Sequence, residues 1–80
     1  MDPMQCFIYK CALKPDTYIF LSSEGAFDVI PSSLREALGH FIKIMDLQLT
    51  PDRKLARADA SEVMSALHAH GYYLQMPPVD

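Results

Sequence analysis

Eighty residues, half of them hydrophobic and 21% charged, carry a formal net charge of -3. That length holds one domain. The apolar content excludes a charged disordered tail, and the acidic balance excludes a simple basic clamp for nucleic acid. There is no apolar run of the roughly 18 residues that a membrane-spanning helix needs. The N-terminus MDPMQCFIYK lacks the basic start and apolar core of a secretory signal, so the cytoplasm is the expected compartment. Cys6 and Cys11 are too few for the disulfide framework of a secreted mini-protein. Residues 1–80 read as a single domain, with 1–4 set apart as a leader and 77–80 as a C-terminal tail.

Gln5 to Cys11, QCFIYKC, is rich in aromatic and β-branched types and predicts a strand. Lys14, Pro15 and Asp16 supply turn chemistry, and Thr17 to Leu21, TYIFL, predicts a second strand. Together they make an antiparallel β-hairpin. Phe7 and Tyr9 oppose Cys6 and Ile8, and Tyr18 and Phe20 oppose Ile19 and Leu21. Large apolar groups on both sides imply a sheet covered on both faces. Ser22 to Ile30 is a connection under which Phe27 and Val29 tuck. Pro31 opens a helix at its first position, where a missing N–H costs nothing. Leu34, Ala37 and Leu38 form its apolar stripe, and Gly39 suits a left-handed stop.

Phe41 to Leu49, FIKIMDLQL, is the third strand, with Ile42 and Ile44 on one side and Met45, Leu47 and Leu49 on the other. Thr50 to Arg53 form a turn. Asp59 and Glu62 have capping-box spacing, and Ala60, Val63, Met64 and Leu67 recur at helical intervals until Gly71. Tyr72 to Met76, YYLQM, is the fourth strand, stopped by Pro77 and Pro78. The expected fold is an α/β (α+β) sandwich: one four-stranded sheet with an N-terminal β-hairpin and two packed helices, in the order β-β-α-β-α-β.

The stretches CFIYKC, DTYIFL, LTPDRKLARAD and GYYLQMPP together resemble the YcgL family of small bacterial proteins, from about Met4 to Pro78. The resemblance implies an α/β sandwich around a central sheet. It implies no established activity, cofactor or catalytic residue. Many members continue past the proline pair with an acidic, helix-forming tail, whereas this chain ends at Val79 and Asp80. A layer that the tail supplies elsewhere is then expected to be missing, leaving apolar sheet surface uncovered.

Metal-ligating types are present as Cys6, Cys11, His40, His68 and His70. Zinc cysteines usually lie about two to four residues apart on a turn. An odd separation along a strand sends Cys6 and Cys11 to opposite faces, so they read as small core hydrophobes and no metal is expected. No histidine is placed beside either thiol, and His68 and His70, two apart on a helix, do not face each other. They suit the helix C-terminus, where a partly cationic ring favours the dipole. Gly25, Gly39 and Gly71 are too dispersed for a phosphate loop. No cofactor and no enzymatic activity are therefore expected.

Arg53, Lys54 and Arg57 crowd three of the seven basic residues into five positions. With Tyr9, Lys10 and Lys14 they suggest a patch for an anion, RNA or an acidic protein. Solvated pairing with Asp52 and Asp59 is the plainer account. An RNA platform needs exposed rings for stacking, for which Tyr9, Tyr18, Tyr72 and Tyr73 are available, but the net negative charge argues against strong phosphate affinity. Of the Tyr72 and Tyr73 pair, one ring faces the core and the other faces out, and Gln75 is a polar break in an apolar strand. The candidate surface is therefore Tyr9, Lys10, Arg53, Lys54, Arg57, Tyr72, Tyr73 and Gln75. The favoured function is a cytoplasmic protein-interaction or regulatory module that recruits a protein partner or a second copy of the chain. An RNA-associated accessory role is the alternative.

Overall fold

A computed structural model describes residues 3–55 and 58–77. The elements run β1 (Met4–Cys11), β2 (Tyr18–Leu21), a 3-10 turn (Phe27–Val29), α1 (Ser32–Leu38), β3 (Phe41–Leu49), α2 (Ala60–His70) and β4 (Tyr72–Gln75). The predicted element order holds. The single sheet has the order β3-β1-β2-β4, and every neighbouring pair is antiparallel.

β1 and β2 form the hairpin that their composition predicts, with Ile8 opposite Phe20 and Tyr9 opposite Ile19. Their loop closes through two overlapping turns, Lys14 N–H to Cys11 carbonyl and Thr17 N–H to Lys14 carbonyl. Asp16 takes a left-handed φ of 62 there, a conformation that a short polar side chain tolerates. The same loop donates Leu13 N–H to the Leu38 carbonyl at 3.0 Å and Ala12 N–H to the His40 carbonyl at 2.9 Å. The end of α1 thus gains a partner for one of its orphan carbonyls. Gly39, at φ 79 and ψ -148, allows this approach, because a Cβ there would lie 2.5 Å from Leu13 Cγ.

Alternation along the strands divides the core in two. One half contains Cys6, Ile8, Phe20 and Leu49 under Val63, Met64 and Leu67 of α2. The other contains Tyr9, Cys11, Ile19 and Leu21 under Ile30 and Leu38, with Phe7, Phe27, Leu34 and Phe41 packed around them. The helices therefore lie on opposite faces, and the sheet is covered on both sides, as the two-sided apolar pattern requires. α2 is set by its caps. Asp59 Oδ1 accepts the Ser61 N–H at 2.9 Å, and Gly71 ends the helix in the left-handed region at φ 85.

Three local expectations are corrected. Pro31 is the N-cap of α1 rather than its first helical residue, with extended ψ 140, because the chain arrives in the conformation that proline favours. Val29 does not tuck in and is 40% exposed. The facing of β3 also differs. Ile8 pairs with Met45 but Tyr9 pairs with Lys43, so Ile44 is an extra residue in a β-bulge. The bulge resets the alternation. Ile42, opposite Lys10, comes to the α2 side together with Met45, Leu47 and Leu49 instead of opposing them.

Leu67 is 3% exposed beneath α2. Leu67→Ala is expected to cost about 2–5 kcal/mol in urea unfolding through lost burial and a residual cavity. Asp59→Ala is expected to cost about 1 kcal/mol by removing the cap.

Candidate functional site

The α2 side of the sheet is only partly roofed. Beside the helix lies an apolar groove of about 420 Å³. Its floor is Ile8 from β1 with Tyr18 and Phe20 from β2; Ile44, Met45 and Leu47 from β3 form one wall. Leu55, Arg53 and Lys54 enter from the β3–α2 connection, and Gln75 enters from β4. Ile42 adds to the same apolar surface at 54% exposure. Such a concave, mainly apolar site with a few polar groups at its edge is the usual form of a binding pocket.

The electrostatics of the groove are one-sided. Its lining holds two cations and no carboxylate, in a chain whose net charge is -3. Lys10, exposed on the same face, lies opposite both Tyr18 and Ile42. The acids expected to neutralise Arg53 and Lys54 are occupied locally. Thr50 and its own backbone amide hold the Asp52 carboxyl below the ordinary range, while Asp59 caps α2. Among the described residues the ion pair formed is Lys43–Glu24, on the other face, where the Lys43 ammonium also lies 5.4 Å from the Phe7 ring centre. Arg53 and Lys54 make no ion pair within the described residues.

The sequence candidates therefore separate. Arg53, Lys54 and Gln75 meet in the groove, and Lys10 stands beside it. Arg57 lies outside the described residues. Tyr9 is displaced from the proposed patch: it faces the α1 side, is 4% exposed, accepts the Gly25 N–H at 3.0 Å and meets Phe27 edge-on at 5.0 Å. Its ring fills core space and offers no stacking surface. Tyr72 is half-buried in the same half of the core. Tyr73 is half-buried in the other half and packs edge-on against Phe20 at 5.7 Å. Neither ring of the pair is a free outward platform, so the tyrosine array required for RNA stacking is not assembled.

Ile8, Tyr18, Ile44, Met45 and Leu47 were not among the candidate site residues. The signal for them is the adjacent pair Ile44-Met45, which breaks the alternation of β3 and marks the bulge.

The thiols stay out of this surface. Cys6 and Cys11 are free, fully buried and on opposite faces. Burial pushes the Cys6 thiol from 9.0 up to about 12 and raises Cys11 as well. A neutral buried thiol is neither nucleophile nor ligand. Among the described residues no three His, Cys, Asp or Glu side chains are grouped to hold a metal ion. No helix among them is long and apolar enough to cross a membrane.

Comparison with known proteins places this sequence among relatives. The YcgL domain matches residues 6–78. A YcgL domain-containing protein of Xanthomonas campestris pv. campestris is 43% identical over 74 residues, which is 92% of this chain and 86% of the relative. One from Thioalkalivibrio sulfidiphilus is 43% identical over 75 residues, 94% of this chain and 93% of the relative. A third, from Xanthomonas axonopodis pv. citri, is 40% identical over 74 residues, again 92% and 86%. These relatives are named for the domain and for no activity.

The buried thiols give a direct check. The native protein is expected to leave Ellman's reagent unreacted, and guanidinium is expected to release both thiols. Because folding holds Cys6 protonated, its contribution is fully present below pH 9.0 and is lost as pH rises from there through about 12. Urea unfolding across that range is expected to show the decline, and Cys6→Ala is expected to flatten it.

Proposed function

Because the chain belongs to the YcgL domain family, for which no specific function is established, we propose a function from its own surface: a cytoplasmic protein-docking module. The observation that carries it is the groove beside α2, which is apolar along its floor, cationic at Arg53 and Lys54, and free of carboxylates in its lining. The fitting occupant is a segment of another protein that carries apolar side chains flanked by Asp or Glu. The apolar side chains enter over Ile8, Tyr18 and Met45, and the carboxylates meet Arg53 and Lys54.

The titratable side chains of the lining are Tyr18, Arg53 and Lys54. They include no general base beside a nucleophile, so this reading assigns the groove to binding and no catalysis to the chain. Two or three inserted apolar side chains contribute about 1.5–3 kcal/mol each against an association cost of about 4–15 kcal/mol. The complex is therefore transient. Its specificity comes from charge, which also makes it sensitive to salt.

Titration of the isotope-labelled protein with synthetic peptides alternating leucine and glutamate tests this reading. The expected result is NMR shift changes at Ile8, Tyr18 and Met45, and affinity about tenfold weaker, or 1.4 kcal/mol, in Arg53→Glu/Lys54→Glu. Equal binding of lysine-for-glutamate peptides, or shifts confined to the α1 face, overturns it.

A further inference from the structure

We propose that β3 is a self-association edge. It pairs antiparallel with the β3 of a second copy about a twofold axis through Leu47, joining two four-stranded sheets into one. β3 is the longest strand, nine residues, and it stands at the end of the order β3-β1-β2-β4. Its outer row of backbone N–H and C=O groups therefore has no strand beside it, which makes it a template for a further strand. The opposite edge, β4, has only four residues.

Natural edges are guarded by bulges, charges and prolines. In β3 the bulge and the lysine lie in the first half, and Asp46 is the one guard in the second. The bulge is at Ile44. Lys43 is turned away to Glu24 and the Phe7 ring. From Met45 to Leu49 the strand runs in regular one-to-one register against Ile8 to Met4, with no proline and a single charge, Asp46.

That regular half is self-complementary. A twofold through Leu47 sets Leu47 against Leu47, and Met45 of one copy against Leu49 of the other; Leu49 is already buried under α2, so the side chains that gain cover are Leu47 and Met45. All of these lie on the α2 side. On the other side the same axis sets Asp46 of one copy against Gln48 of the other, so a carboxylate faces an amide that can donate to it. Cross-strand pairs of this kind stabilise a sheet, whereas like charges directly opposite destabilise it. Moving the axis to Asp46 sets two carboxylates face to face and brings the bulge into the seam. Moving it to Gln48 leaves only Leu47 to Leu49 paired within the strand and runs Met45 against Pro51. Leu47 is thus the axis that uses the whole regular half without a charge clash. The interface is isologous, and the operation closes at two copies.

The pairing rests on the strand edge and not on the docking reading, although the two are compatible. The twofold leaves both α2 faces on one side of the joined sheet and brings the two groove walls at Met45 and Leu47 together across the axis. An occupant then meets a doubled surface.

Sedimentation equilibrium over a range of concentrations, with the full chain, is the first test. The expected result is a reversible rise from the 9.0 kDa monomer to twice that mass. Met45→Lys alters a side chain that is 45% exposed, and it is expected to hold the monomer mass throughout with an unchanged circular dichroism spectrum. Register is read by cross-linking. Mild oxidation of a mixture of Asp46→Cys and Gln48→Cys proteins is expected to give a disulfide-linked heterodimer in excess of either homodimer, while buried Cys6 and Cys11 stay unreactive. A monomer at every concentration, or preferential linking of Asp46→Cys to itself, overturns the proposal. A monomer that still binds the acidic peptides overturns this inference and leaves the docking reading standing. A dimer that ignores them does the reverse.

Discussion

The fold depends on a strand that buries apolar side chains on both of its faces. β1 lies between β2 and β3 and buries side chains on both faces, with only Gln5 and Lys10 exposed and with Cys6 and Cys11 completely removed from solvent in opposite directions. Two layers are therefore obligatory. Material to build them is scarce, because the described residues hold one α-helix of seven residues and one of eleven. At about 1.5 Å per residue α2 is roughly 16 Å long, whereas β3 at about 3.3 Å per residue is roughly 30 Å long. One such helix cannot roof a four-stranded face. The groove beside α2 follows from that mismatch of lengths.

The opposite face meets the same requirement with irregular chain. Phe27, from the 3-10 turn, stacks on Phe41 with ring centres 4.8 Å apart and receives Tyr9 edge-on. Such aromatic pairs add about 0.5–1.5 kcal/mol beyond the area they bury. The Tyr9 hydroxyl is satisfied by Gly25, and the hairpin loop is bonded to the end of α1. Rings and loops can fill an uneven space that a short helix leaves open. The part of this face around Phe27 is thus closed by local chemistry, while a smaller apolar pocket of about 250 Å³ remains between α1 and β4 at Leu34, Leu38 and Leu74; the other face keeps the larger apolar groove with cations at its edge.

Much of this was legible in the residues. Aromatic and β-branched runs marked four strands, the Asp59 and Gly71 caps bounded α2, and apolar groups on both sides of β1 and β2 implied two covered faces. The strand ends differed by one residue: β1 begins at Met4, β2 at Tyr18, and β4 ends at Gln75. Alternation shows that Tyr9 and Ile8 point in opposite directions, but it does not show which direction is sealed, so Tyr9 looked as available as Tyr18. That choice depends on the connection carrying Phe27 and Gly25, whose path has no periodic signal. Arg53 and Lys54 were visible as cations. The surface beside them is an apolar wall from β3, brought there by a bulge and by strand order, and sequence spacing encodes neither.

The bulge ties the two faces together. With Met45 on the α2 side, unbroken alternation would carry Phe41 and Lys43 to that side as well. Phe41 would leave Phe27, and Lys43 would lose both Glu24 and the Phe7 ring. One extra residue at Ile44 returns Phe41 and Lys43 to the α1 side, where those contacts form. The same step sends Ile42 to the α2 side and turns Ile44 into the groove wall, beyond the reach of α2, leaving them 54% and 48% exposed. The exposed apolar surface is thus the other half of the packing solution that closes the aromatic core. Restoring alternation in β3 would take Ile44 out of the groove wall and pull Phe41 from the aromatic core together.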